Sequence, residues 1–110
     1  MPWVKAVDVA ALEPYGVAGA VANGQRVAIY VVEGEYFATS DICTHGQASL
    51  SEGFLDGHVI ECPLHQGRFD IKTGQPRNPP VCIKLRTHPI RVDGNDVLLG
   101  IADSDDSEQS

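Results

Sequence analysis

Two stretches decide how this chain is read: Cys43-Thr44-His45-Gly46, and Cys62-Pro63-Leu64-His65-Gln66-Gly67-Arg68-Phe69-Asp70. In each, a cysteine is followed two or three positions later by a histidine, and 16 residues, 46 to 61, separate the pairs. With four His in 110 residues, two of three cysteines finding such a neighbour by chance is about a one-in-a-hundred event. Gly46, Pro63 and Gly67 lie in or beside the pairs, and each pair follows a stretch of strand character. Both pairs are therefore expected on loops at the ends of hairpins, where a rigid sheet can hold metal ligands. Two thiolates and two imidazoles make either a tetrahedral zinc site or a 2Fe-2S cluster with two Cys on one iron and two His on the other. Zinc fingers usually draw Cys with Cys and His with His from single turns. Here each loop offers one of each, which a cluster with unlike irons accepts without strain.

Working outward, turn signals recur at short intervals: Pro14-Tyr15-Gly16, Asn23-Gly24, Glu33-Gly34, Asp56-Gly57, Thr73-Gly74, Asn78-Pro79-Pro80 and Asp93-Gly94-Asn95. Between them lie strand-like stretches: Trp3 to Val7, Val17 to Ala22, Arg26 to Val32, Glu35 to Thr39, His58 to Glu61, Arg68 to Ile71, Val81 to Thr87, and Ile90 to Leu99 with its own turn. Many short strands with close turns predict an all-β fold, an antiparallel sandwich or barrel. The one helical stretch, Ala10-Ala11-Leu12-Glu13, is expected to make a single turn, capped by Asp8 and stopped by Pro14. Apolar residues fall at odd positions at Val81, Ile83 and Leu85 but at even ones at Ile90 and Val92. A strand changes phase only by an extra residue, so a bulge is expected near Thr87 to Pro89.

The chain is 11.8 kDa with 43% apolar residues, which suits one domain over residues 1–102. A domain of this size, with 6% aromatic residues, gains from a bound cofactor. Eight Lys and Arg against 15 Asp and Glu give a net charge of −7, the wrong sign for a nucleic-acid backbone, so no nucleic acid is expected as partner. Asp103, Asp105, Asp106 and Glu108 account for four of those acids; with eight bases against eleven remaining acids, residues 1–102 carry −3. Residues 103–110 have no apolar anchor and are expected to form a disordered acidic tail. Met1-Pro2-Trp3-Val4-Lys5 has no signal-peptide core, and the longest apolar run, Val27 to Val32, is six residues. A cytoplasmic protein with no membrane contact is expected, and there three cysteines point to metal chemistry and not to disulfides.

The two Cys-His stretches resemble the cluster-binding signature of Rieske proteins, and closely that of the small ferredoxins of aromatic-ring-hydroxylating dioxygenase systems of the naphthalene and biphenyl type. The likeness extends over most of residues 3–99, including Leu50-Ser51-Glu52-Gly53 and Pro80-Val81. It implies a Rieske fold of small antiparallel sheets with a cluster-binding part at about residues 41–70 inserted between strands. It also implies a Rieske-type 2Fe-2S cluster, with Cys43 and Cys62 on the inner iron and His45 and His65 on the outer. The implied role is that of a one-electron carrier, not an enzyme. Its implied partners are an NAD(P)H-dependent flavoprotein reductase and the Rieske cluster of a terminal oxygenase, and the carrier is expected to be a monomer. A zinc-stabilised binding module using the same four ligands is the alternative. An oxygenase fails on inventory, because a mononuclear iron site needs two further His and a carboxylate, and only His58 and His88 remain.

Respiratory and photosynthetic members of the resembled family brace their cluster with a disulfide and donate a Ser hydroxyl to a sulfur. The corresponding disulfide positions here are Ala48 and Leu64, and the chain reads His65-Gln66-Gly67-Arg68 where the Ser is due. A potential towards the negative end of the Rieske range of about −150 to +300 mV is expected. Among the remaining residues, His58 and His88 are read as surface residues and Cys82 as a packed, redox-silent thiol. Leu64, Pro63 and Gln47 are read as shielding the sulfurs or meeting a partner. Glu52, Asp56 and Glu61 are read as solvated charges or the rim of that contact.

Overall fold

The computed structural model describes residues 3–13, 15–42, 48–63, 67–77 and 84–101. Its centre is a meander whose two turns are dictated by sequence. Strands β2 (Val17–Ala22), β3 (Gln25–Val32) and β4 (Glu35–Ser40) are joined by Asn23-Gly24 and Glu33-Gly34. All four turn residues have positive φ, at 50°, 79°, 53° and 81°, the signature of type I′ turns, whose twist matches that of the flanking strands.

Both faces of this meander are buried, and β3 alternates between them. Ala28 and Tyr30 join Ala48, Leu50, Ile60, Cys62, Phe69, Ile71 and Leu85 in one apolar cluster. Val27 and Ile29 join Leu12, Ala22, Ala38, Val97, Leu99 and Ile101 in the other. The second cluster is closed by a sheet of order β1-β9-β8, built from β1 (Trp3–Asp8), β8 (Ile90–Asp93) and β9 (Asp96–Gly100). The first is closed by a sheet of order β5-β6-β7, from β5 (Phe54–Asp56), β6 (Val59–Glu61) and β7 (Arg68–Asp70). Every named strand pair is antiparallel, as the all-β reading requires. In the buried meander the Tyr30 hydroxyl lies 2.8 Å from Thr39 Oγ1, which itself donates to the Ser40 carbonyl. Burial pushes the Tyr30 phenol far above its ordinary range.

Several expectations are corrected. The single turn is a 3-10 turn at Val9–Leu12, and the Asp8 side chain does not cap it; its carboxylate sits 2.7 Å from Lys5 Nζ instead. No strand runs through residues 84–87; Thr87 makes only an isolated bridge to Thr39. The expected bulge near Thr87 to Pro89 is replaced by a crossing. Leu85 is buried in the first cluster, whereas Ile90 packs against the second, so the phase change records passage from one core to the other. Along the way Ser40 N–H donates to the Arg86 carbonyl at 2.9 Å and His88 N–H to that of Ala38 at 3.0 Å, seating the segment on the edge of β4. A register shift does occur elsewhere, between Lys5 and Val7 of β1. Cys82 and the acidic residues 103–110 lie outside the described residues.

Neither spare histidine is a surface residue. His58 Nε2 is buried without a hydrogen-bond partner, and its ring stands edge-on to Phe37 with centroids 5.6 Å apart. His88 is half-buried, and burial, reinforced by the Arg86 charge, lowers its pKa from the ordinary 6.5. The folded state therefore favours neutral His88, and its contribution is complete above the unfolded pKa and is lost as pH falls below it. Replacing His88 with Gln is expected to flatten the decline of Tm on acidification below pH 6.5, measured against the parent chain by thermal melts across that range.

Candidate functional site

Of the four sequence-assigned ligands, Cys62 is described, while Cys43, His45 and His65 lie outside the described residues. What the structure displays is the footing of both ligand loops. The first leaves β4 and is closed by an antiparallel bridge between Ile42 and Ser49, with Leu50 N–H donating to the Asp41 carbonyl at 2.7 Å. The second is the connection between β6 and β7, closed where Cys62 N–H donates to the Gly67 carbonyl at 2.7 Å. The second loop is the end of the β6–β7 hairpin, whereas the first joins β4 to the 3-10 turn at Leu50–Glu52; both are closed at their roots by backbone pairing.

The two footings share one apolar environment. Ala48, at the end of the first loop, and Cys62, at the start of the second, belong to the same buried cluster with Leu50, Ile60 and Phe69. Cys62 is a free, fully buried cysteine. Ala48 is 7% exposed, so the position that a bracing disulfide would use is filled by a small core residue. A buried, soft sulfur ligand at the root of one loop, in the same apolar cluster as the root of the other, suits a cluster with unlike irons. The donor set and its apolar seat fit the group. Pro63, next to the buried Cys62, is exposed.

Two residues that matter here escaped sequence reasoning. Gly53 follows a 3-10 turn at Leu50–Glu52 and runs so close to β6 that a Cβ there would overlap the Glu61 carbonyl. Its neighbours Leu50-Ser51-Glu52 gave a likeness but no reason; the reason is this close approach beside Cys62. Asp41 is 5% exposed, and its Oδ1 accepts the Ser51 N–H at 2.8 Å. A lone Asp before an Ile gives no sequence signal of burial. Among the residues read as a rim, Glu52 and Asp56 are exposed, and Glu61 is held by Arg68 at 3.2 Å.

The family model of the Rieske [2Fe-2S] domain matches residues 2–89, and the chain belongs to that family. It is similar to the ferredoxin component of the naphthalene 1,2-dioxygenase system of Pseudomonas aeruginosa, with 43% identity over 100 residues covering 91% of this chain and 96% of that one. The biphenyl dioxygenase ferredoxin subunit of Pseudomonas sp. strain KKS102 is 48% identical over 100 residues, covering 90% and 92%. Among solved structures, a chain from the complex of reduced oxygenase and oxidized ferredoxin in carbazole 1,9a-dioxygenase superposes with a TM-score of 0.80. It is 39% identical, covering 88% of this chain and 91% of that one. The protein is a ferredoxin of the dioxygenase-system kind, carrying a Rieske-type 2Fe-2S cluster for electron transfer and not itself a catalytic subunit. The zinc-stabilised module finds no support among these relatives.

Substituting Gly53 with Ala is expected to push Glu61 and Cys62 out of place and to speed iron loss to a chelator at least tenfold. Gly34→Ala serves as the control: nothing lies within 4 Å of its added Cβ, so it costs about 1 kcal/mol of backbone strain with iron retained. Iron release followed by absorbance separates the two.

Proposed function

We propose that Cys43 and Cys62 bind one iron, and His45 and His65 the other, of the Rieske cluster. We further propose that the chain carries single electrons from an NAD(P)H-dependent flavoprotein reductase to the Rieske cluster of a terminal ring-hydroxylating oxygenase. The observation that carries this reading is the pair of pinned loops rooted in one apolar cluster, each bearing one Cys and one His. The carbazole complex, in which an oxygenase and a ferredoxin are partners, supports the oxygenase as the acceptor. When bound, the cluster takes up and releases one electron. The protein's part is to hold Cys62 dry and to keep the roots of the two loops pinned before the metal arrives.

The cluster-binding part at about residues 41–70 and the supporting sheets form one domain over 1–102 in this reading, and the carrier works as a cytoplasmic monomer. Among the described residues no helix is long and apolar enough to cross a membrane. Docking uses the tip, where His45, His65, Leu64, Pro63 and Gln47 meet the partner. A carrier must also leave quickly, which favours a small contact.

The purified chain is expected to hold two irons and two acid-labile sulfides, with an EPR signal in the reduced state only; one zinc and no sulfide would sink the assignment. Ala at Cys43, His45, Cys62 or His65 is expected to abolish the cluster. Leu64→Lys is expected to slow oxygenase turnover several-fold with spectrum and potential intact, checked in a reconstituted system.

A further inference from the structure

The charged group most firmly built into the ligand-bearing half is not a ligand. Among the described residues, Asp41 and Thr39 are the only polar or charged ones that are buried, and Asp41 is anchored at four points. Its N–H donates to the Arg26 carbonyl at 3.1 Å, and its own carbonyl accepts the Leu50 N–H at 2.7 Å. Its Oδ1 accepts the Ser51 N–H at 2.8 Å, and its Oδ2 lies 3.5 Å from Arg26 Nη2. Arg26 also donates to Ser49 Oγ. Asp41 and Ser49 are the two ends of the first ligand loop, so one carboxylate and its counter-ion grip both.

The pair is unequal in its exposure to water. The Asp41 side chain is 6% exposed and that of Arg26 51%. A half-exposed guanidinium is screened by solvent, so it cancels only part of the field of a buried carboxylate. That residual negative charge stands two residues before Cys43. Two ferric irons, two sulfides and two thiolates sum to zero, and reduction by one electron takes the centre to −1. A fixed anion at its footing opposes that change.

Resting on the ligand assignment above, we propose that Asp41 is a positioning residue that closes the foot of the first ligand loop and, with Arg26 as a partial counter-ion, holds the reduction potential down. Asp41→Asn retains an oxygen for the Ser51 N–H but removes the charge. Arg26→Gln removes the cation and leaves the anion. A role confined to holding the loop would move both variants in the same direction or neither; the electrostatic role moves them oppositely.

The test uses the cluster-loaded chain, with iron and sulfide assayed first and the potential then measured by mediated titration with dithionite as electron donor. Asp41→Asn is expected to raise the equilibrium constant for one-electron uptake at least threefold, about 28 mV where tenfold is 59 mV. Arg26→Gln is expected to lower it, and Asp41→Glu to stay nearer the parent than Asp41→Asn does. Should Asp41→Asn fail to load, the fall in Arg26→Gln still decides. A parent chain without iron and sulfide would overturn the ligand assignment and this proposal together. A loaded parent whose Arg26→Gln potential is unchanged or higher would overturn this proposal alone.

Discussion

Everything at the ligand-bearing end depends on a short backbone constraint, the hydrogen bond from Cys62 N–H to the Gly67 carbonyl. It closes the second loop at its root, at the buried Cys62. The bridge between Ile42 and Ser49 does the same for the first loop. The footing is secured by packing as well as hydrogen bonding, because Ala48 and Cys62 lie in the cluster that also holds Tyr30 and Phe69. Burying one such aromatic or aliphatic side chain contributes roughly 1.5–3 kcal/mol, so the roots share the stability of the core.

Much of this was legible in the sequence because it rested on local chemistry. The Cys-His spacing pointed to the family that the Rieske domain model matches, and the strand from Val17 to Ala22 was bounded as found, since turn residues stood at both ends. What failed were features with a tertiary cause. Val81 to Thr87 alternates as a strand should, yet the chain passes from one core at Leu85 to the other at Ile90 and cannot keep one face buried. Strand β5, Phe54–Asp56, has three residues and no alternation long enough to register. His58 and His88 looked like surface residues because polarity was the only local cue. Their burial comes from Phe37 in one case and from the edge of β4 in the other. Asp41 was passed over for the same reason, its four anchors coming from residues 9 to 15 positions away.

Charge is distributed with the same division between the halves. Around β1 and β9 the ion pairs are exposed: Lys5 bridges Asp8 and Asp96 at 2.7 and 3.2 Å, where solvent screens the attraction. At the ligand end, the Arg26–Asp41 pair reaches inward. The one buried carboxylate among the described residues sits at the root of the first loop, and the other described acids are exposed or half-buried.

The two type I′ turns have an effect on β3 that its own side chains do not. In a strand with one wet face, a slip of one residue exposes the core and is resisted by every side chain. From Val27 to Tyr30 this strand is buried on both faces, so a slip would merely exchange one set of apolar groups for another. Alternation therefore says little about alignment, and the turns act as rulers at each end, pairing Ala22 with Gln25 and Val32 with Glu35. The register of the meander is consequently written in four turn residues, Asn23, Gly24, Glu33 and Gly34, of which Asn23 also ties its turn to the second core by donating to the Ile101 carbonyl at 3.1 Å.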